Sequence, residues 1–292
     1  MTDVSFYNLV ERLTEGGKVN DLDLPESWLQ GRTAYGGLST ALMVAAIQQE
    51  NPDAPPLRSL QVTFVGPLAG TLSFSQRLLR QGKNSRIIDG EIATEDGVGL
   101  KGTFIFSNER HFTNELPAVQ LTEFIKPEDG QVILRDGPAP RFIRNFDCVW
   151  GGGTPPFSSD KEKDPRFAIW FRHADPASRE GLLPFLAIAD GPPPAMMTRY
   201  QMRTPLSSMN WHINFHTTDL TTKDGWWLVE CGADFANEGY SSQTMKIFNY
   251  DGEQVCDMTQ YIAIFEPKPE NTAPDKLEEI SKSRAARTGE DL

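Results

Sequence analysis

Two groups of residues in the first half of the chain have the chemistry of an anion-binding site. Arg80, Lys83 and Arg86 flank the turn of a predicted hairpin, and their guanidinium and ammonium groups can bind phosphate oxygens. Gly36-Gly37 precedes an apolar helical segment, where free N–H groups and the positive end of the helix dipole favour an anion. Each feature also has a structural interpretation: a solvated hairpin for the basic turn and a tight strand-to-helix turn for the glycine pair.

The histidines, cysteines and remaining glycines form no metal or phosphate motif. No fixed spacing to cysteines or carboxylates is found for His173, His212 and His216. Buried free thiols are predicted for three unpaired cysteines with apolar neighbours, Cys148, Cys231 and Cys256. The glycines at 151–153 lack the Lys-Ser/Thr of a P-loop. We therefore expect chemistry without a metal ion or a bound cofactor.

The elements that must position these residues occur twice along the chain. A strand-like segment, a second β-rich run and two strands joined by an Asp-Gly turn follow one another at 59–106 and again at 208–265. A repeat at a long, fixed offset indicates duplication of a whole structural unit. Strands joined by tight Asp-Gly turns indicate an antiparallel sheet. The chain is predicted to contain two copies of one fold.

A buried helix is predicted in each copy. Residues 38–47 are apolar on most sides when placed on a helix, which is typical of a helix surrounded by protein. The corresponding segment of the second half is 181–190, followed by Gly191 and prolines at 192–194. Because successive prolines cannot lie inside a helix, any helix here ends by Asp190 or begins near Pro194.

The strand at 208–216 alternates strictly between polar and apolar residues. One face carries Ser208, Asn210, His212, Asn214 and His216, and the other carries large apolar side chains. The strand at 59–64 has the same pattern. We predict that these strands pair the two units or two subunits, and that the histidines make structural hydrogen bonds.

Composition and the apolar pattern indicate which partners and which cellular location to expect. The 292 residues are 39% hydrophobic and carry a net charge of -12, which disfavours nucleic acid and anionic membranes as partners. No apolar run approaches the ~18 residues of a membrane span. The first residues do not resemble a secretory signal, so a cytoplasmic location is expected. The predicted boundaries are a first unit at 1–115, a linker at 116–140, a second unit at 141–267 and a polar tail at 268–292.

Several short motifs, in this order, resemble the double-hotdog acyl-CoA thioesterases of the thioesterase II type. They are Gly36-Gly37 with its Ala-rich helix, the turn at 80–85, the segment 168–172, Ala189-Asp190, Asn214-Phe215-His216 and Thr259-Gln260. The resemblance covers about residues 28–265. It implies an α+β tandem hotdog, in which each unit is a long helix wrapped by a curved antiparallel sheet, and a homodimer or larger assembly.

The resemblance also implies hydrolysis of an acyl-CoA thioester by an activated water molecule. The family's Asp, Thr and Gln fall on Asp190, Ser208 and Gln260. Such a trio is chemically sufficient, because a carboxylate can activate water while an amide or hydroxyl holds it and polarises the carbonyl. We assign substrate binding to Tyr35 and Gly36-Gly37, and contacts with the CoA phosphates to the basic turn.

Two other functions are compatible with the same fold. A hotdog acyl-CoA hydratase or dehydratase would need a pattern such as Asp-x-Asn-Pro, which Asp190-Gly-Pro-Pro does not provide. A non-catalytic acyl or acyl-CoA binding protein would keep the pocket without turnover. If the chain is an enzyme, only one site per chain is expected to be competent, because the first-half segment 32–37 has no carboxylate.

Overall fold

The computed structural model describes residues 4–135, 137, 139–202 and 204–266. The predicted polar tail at 268–292 lies outside these residues, as does the helical turn expected within it at 275–287. Within the described ranges, no helix is both long and apolar enough to cross a membrane.

Among the described residues, the first half contains two α-helices and seven strands. They are α1 (Phe6–Leu13), β1 (Leu22–Asp23), β2 (Leu29–Gln30), β3 (Thr33–Ala34), α2 (Gly36–Glu50), β4 (Leu57–Phe64), β5 (Thr71–Gln81), β6 (Ser85–Thr94) and β7 (Gly97–Ser107).

The second half contains one α-helix and seven strands in the described ranges. They are β8 (Val132–Ile133), β9 (Phe146–Gly153), β10 (Arg166–His173), α3 (Leu182–Ala189), β11 (Leu206–Phe215), β12 (Trp227–Asn237), β13 (Tyr240–Phe248) and β14 (Gln254–Ile264). Short 3-10 helices include Ala195–Arg199.

One large sheet carries the two predicted copies side by side. Its order is β1-β5-β6-β7-β4-β11-β14-β13-β12-β10-β9-β8, with every neighbouring pair antiparallel. The central run from β5 to β12 is a palindrome, since β5-β6-β7-β4 on one side mirrors β12-β13-β14-β11 on the other. This order confirms the duplication.

The strands β4 and β11 join the two halves, as predicted from their shared pattern. Gln61 lies opposite His212 at the centre of the pair. The Ser59 hydroxyl donates to Asn214 Oδ1 (3.0 Å) and lies 3.2 Å from His212 Nε2. His216 Nε2 lies 2.6 Å from Asp257 Oδ1. The polar face of this strand therefore makes structural hydrogen bonds, to β4 across the join and to β14 within the second half.

The strict alternation predicted for 208–216 is wrong at one residue. Ser208 lies opposite Ile262, but Asn210 lies opposite Tyr261, so Met209 is the extra residue of a β-bulge. Because paired residues share a face, Ser208 belongs to the face that carries Gln260, Ile262 and Trp211. It does not share the face of Asn210 and His212.

The two central helices pack against each other on the inner face of the sheet. Residues 37–47 of α2 are all buried, which explains why the segment is apolar around its whole circumference. The second helix, α3, stops at Ala189, and Asp190 is its C-terminal cap. The chain passes through the prolines and resumes as the 3-10 helix from Ala195. The α-helix therefore ends just before Asp190, and a separate 3-10 helix begins after Pro194, as the prolines predicted.

The segment predicted as a linker packs on the second half. Its residues 132–133 form β8 and pair with β9. The indole Nε1 of Trp170 donates to the backbone oxygen of Ile125 (2.7 Å), and Gln120 forms a bridge with Glu253. The three cysteines are buried free thiols, as predicted, and burial raises the pKa of each.

Candidate active site

Asp190 lies where the C-terminal end of α3 meets the N-terminal end of α2. Its Oδ2 accepts the backbone N–H of Gly37 at 3.0 Å, and its Oδ1 accepts Nε2 of Gln260 at 2.5 Å. The carboxylate thus occupies the anion position that the glycine pair predicted at the start of α2. The anion there belongs to the chain itself, and it comes from the other half of the molecule.

The two glycines permit this meeting of helix ends. A Cβ on Gly36 would lie 2.6 Å from Asp190 Oδ2 and would overlap the ring of Phe64. A Cβ on Gly37 would lie 2.8 Å from the backbone oxygen of Ala187 in α3. Any larger residue would push away either the carboxylate or the facing helix.

Burial raises the pKa of the Asp190 carboxyl to about 6. The hydrogen bonds from Gln260 and from the N–H groups of Gly37 and Gly36 act in the opposite direction and lower this pKa, but the effect of burial is larger. A carboxyl that ionises near pH 6 can accept a proton from water at neutral pH.

A row of amides extends from Asp190 along the inner face of the sheet. Gln260 Oε1 accepts Nε2 of Gln243 at 2.8 Å, and Gln243 Oε1 accepts the backbone N–H of Ala195 at 2.9 Å. Both glutamines are buried. Gln243 was not identified from the sequence, although a signal existed: it occupies an inward position of the strand that continues as Met245 and Ile247.

Ser208 stands on the same face, one row away from Gln260. It pairs with Ile262, two residues beyond Gln260, which corresponds to a diagonal separation of about 7–8 Å. Ser208 is partly exposed, and its hydroxyl makes no hydrogen bond within the described ranges. The structure therefore brings Asp190 and Gln260 into contact and leaves Ser208 nearby, across a gap.

The same positions in the first half are apolar. The bulge register aligns Ser208, opposite Ile262, with Leu57, opposite Phe106. Counting three residues onward aligns the Trp211–Gln260 pair with Leu60–Phe104, and the Gln243–Gln260 pair with Ile88–Phe104. Ser208, Gln243 and Gln260 of the second half therefore correspond to Leu57, Ile88 and Phe104 of the first half, which are apolar and buried.

Tyr35, predicted to bind substrate, and His173 are both buried near α3. Tyr35 is 1% exposed, stacks on Phe142 and donates its hydroxyl to the backbone oxygen of Ala187 at 2.9 Å. Its observed contacts join the two helices. His173 is also buried and faces the backbone oxygen of Pro184, and burial lowers its pKa to about 4.

Arg86, predicted to contact the CoA phosphates, already has an acidic partner within the chain. Its guanidinium forms a two-pronged ion pair with Asp53, with both distances at 2.9 Å, and its Nε donates to Gln81 at 2.6 Å. It also contacts Asn51, the cap at the far end of α2, about 20 Å along the helix from Gly37. Arg80 and Lys83 are exposed at the hairpin and stay as predictions.

The two joined helix-and-sheet units, with the site between their helices, define a double hotdog. Family models describe the same organisation: the acyl-CoA thioesterase N-terminal domain matches residues 24–107, and the acyl-CoA thioesterase C-terminal domain matches residues 120–264. Together they cover well over half of the chain. The chain is therefore an enzyme of the acyl-CoA thioesterase family.

Solved structures share this fold at low sequence identity. A hot dog fold protein of unknown function from Alicyclobacillus acidocaldarius superposes with a TM-score of 0.74 at 15% identity, covering 88% of this chain and 98% of that one. A putative thioesterase II from Thermobifida fusca gives 0.73 at 15% identity, covering 88% and 97%. An acyl-CoA thioesterase II from Mycobacterium marinum gives 0.65 at 15% identity, covering 89% and 99%. A comparison with curated protein sequences finds no significant match.

Proposed function

We propose that the chain hydrolyses acyl-CoA thioesters with a water molecule activated by Asp190. The observation that carries this proposal is the environment of the Asp190 carboxylate, which accepts hydrogen bonds from Gly37 and Gln260 and has a pKa raised to about 6 by burial. At neutral pH such a group is ionised, is still basic enough to take a proton, and is held in one orientation.

The reaction needs no covalent enzyme intermediate. The water oxygen attacks the thioester carbonyl carbon while Asp190 takes one of its protons, and the negative charge moves to the carbonyl oxygen. When the carbon–sulfur bond breaks, the CoA sulfur leaves with the electron pair and receives the proton from Asp190. The products are the free acid and CoA, and the carboxylate is regenerated.

Gln260 and Ser208 are assigned to the water and the carbonyl. One N–H of the Gln260 amide is used by Asp190, and the second can bind the attacking water or the carbonyl oxygen. Ser208 offers a hydroxyl on the same face, diagonal to Gln260, and we assign it to the water that lies between them. The N-terminus of α2 supplies N–H groups and a positive dipole end near the developing charge.

The CoA part and the acyl part of the substrate are assigned to two further groups of residues. We expect Arg80 and Lys83 to bind the CoA phosphates. We expect the acyl chain to lie near Phe185, Leu186 and Met197, which are buried, and Met196, which is partly buried. We also expect a homodimer or larger assembly in light scattering at micromolar concentration, and a monomer would contradict that expectation.

The proposal is tested by steady-state hydrolysis of acyl-CoAs of several chain lengths, with a thiol reagent to detect CoA. Asp190→Asn should lower kcat by a thousandfold or more, on the order expected for loss of a general base together with its electrostatic role. Gln260→Ala should lower it about a hundredfold.

Asp257→Asn is the matched control for these variants. Asp257 lies on the same strand as Gln260, on the opposite face, beside His216. It should keep wild-type turnover, and thermal melts should show that all three variants are folded. Full activity of Asp190→Asn would contradict the proposal. An inactive wild type that still binds acyl-CoA would favour the binding protein.

A further inference from the structure

Gln243 bridges Gln260 to the backbone of the segment that follows the prolines. It is 2% exposed, on β13, directly opposite Gln260 on β14. Its Oε1 accepts the N–H of Ala195, and its Nε2 donates to Gln260 Oε1 and contacts the sulfur of Met245 at 3.3 Å. Both ends of this amide are therefore in use.

The backbone N–H at one end fixes the orientation of both amides. The Ala195 N–H can only donate, so it requires Gln243 Oε1 on its side and turns Gln243 Nε2 toward Gln260. Gln243 Nε2 can only donate as well, so it requires Gln260 Oε1 and turns Gln260 Nε2 toward Asp190. If either amide were reversed, two donors or two acceptors would face each other in a buried place.

We infer that Gln243 is a positioning residue for hydrolysis, which holds the Gln260 amide with its N–H groups toward Asp190 and the reacting water. The inference rests on the proposed function, because it assigns Gln243 to the same site. Gln243 itself has no assigned contact with the substrate; it acts through Gln260.

No charged side chain among the described residues stabilises the ionised form of Asp190 in place of Gln260. Among the described residues, the titratable groups that interact with the Asp190 charge are Tyr35 and Cys231. Burial raises the pKa of both, so both stay neutral at neutral pH. The hydrogen bonds from Gln260 and the start of α2 are what favour the ionised carboxylate.

The test is a double-mutant cycle between Gln243 and Gln260, read by kcat and by its pH dependence. Gln243→Met keeps the length of the side chain and removes its donor and acceptor. It should lower kcat roughly ten- to a hundredfold, the range expected when a group beside the reacting atoms is misplaced. It should also move the acid limb of the profile to higher pH, because the donor that favours ionised Asp190 is less well held.

In the Gln260→Ala background, Gln243→Met should have no further effect on kcat or on the acid limb, because the group it positions is gone. Gln254→Met is the matched control. Gln254 is also a buried glutamine, but its Nε2 donates to the backbone oxygen of Cys256 at 3.1 Å. This control should leave turnover and the pH profile unchanged.

Two results would overturn the inference: equal losses of kcat from Gln243→Met in both backgrounds, or an unshifted acid limb. If Gln243→Met does not fold in a thermal melt, Gln243→Asn replaces it, since its shorter amide cannot reach both Ala195 and Gln260. Failure of the proposed function looks different, because Asp190→Asn would then retain full turnover whatever Gln243 does.

Discussion

At the scale of single residues, the polar side chains of the site differ in whether they already have hydrogen-bond partners. Asp190 and Gln260 are bound to each other and to fixed backbone groups, whereas the Ser208 hydroxyl makes no hydrogen bond within the described ranges. A polar group that is left available on the face that carries Gln260 is suited to bind water or substrate.

We predict that Ser208→Ala lowers kcat about a hundredfold if its hydroxyl holds the water or the carbonyl. Ser208→Thr should preserve or raise kcat, because the added methyl limits the hydroxyl to fewer rotamers. Steady-state kinetics decide this, and Ser207→Ala is the control, since Ser207 is exposed on the other face of the same strand. Wild-type kinetics of Ser208→Ala would remove Ser208 from the mechanism.

At the scale of elements, the decisive contact is between the ends of α2 and α3. The helix from one half offers N–H groups, and the helix from the other half ends in the carboxylate that accepts them. The Pro run that follows Asp190 ends α3 at this point, so the break in the second helix delivers the carboxylate to the site.

Replacement of each glycine by alanine should separate catalysis from stability. A Cβ on Gly36 meets the Asp190 carboxylate and the ring of Phe64, which are side-chain atoms that can move, so Gly36→Ala should mainly lower kcat. A Cβ on Gly37 meets the backbone of α3, so Gly37→Ala should also lower the free energy of unfolding by about 1–3 kcal/mol. Urea denaturation and kinetics of the two variants measure this difference, and equal stability losses would contradict it.

The sequence predicted the elements better than their register. The duplication, the buried α2, the end of α3 at Asp190 and the pairing of β4 with β11 follow from periodicity and proline chemistry, which act locally. The bulge at Met209 leaves the local pattern intact and becomes visible only in the pairing with β14. Gln243 was missed for the same reason, because its partners are distant along the chain. The sequence also gives no sign that Arg86 forms an ion pair with Asp53, because the two residues are far apart along the chain.

At the scale of the whole molecule, the duplication explains why each chain should have a single site. The site takes its N–H groups from the first half and its carboxylate and amides from the second. The equivalent positions of the first half are filled by Leu57, Ile88 and Phe104. One copy of the fold thus keeps an apolar core where the other has polar residues.

We predict that a non-hydrolysable thioether analogue of an acyl-CoA binds with a stoichiometry of one per chain. Isothermal titration measures this ratio directly, and Asp190→Asn serves as the control, since it should keep the stoichiometry while losing turnover. A ratio of two per chain would show that the first half also forms a site.

The most direct test of the central claim, that Asp190 is the base, is the pH dependence of kcat/KM. The carboxylate must be ionised to accept a proton, so the rate should rise with pH and level off above about pH 6, the value to which burial raises its pKa. Asp190→Asn should lack this limb as well as most of the rate. A wild-type profile that is flat from pH 4 to 8, or an Asp190→Asn variant that retains the same limb, would contradict the assignment.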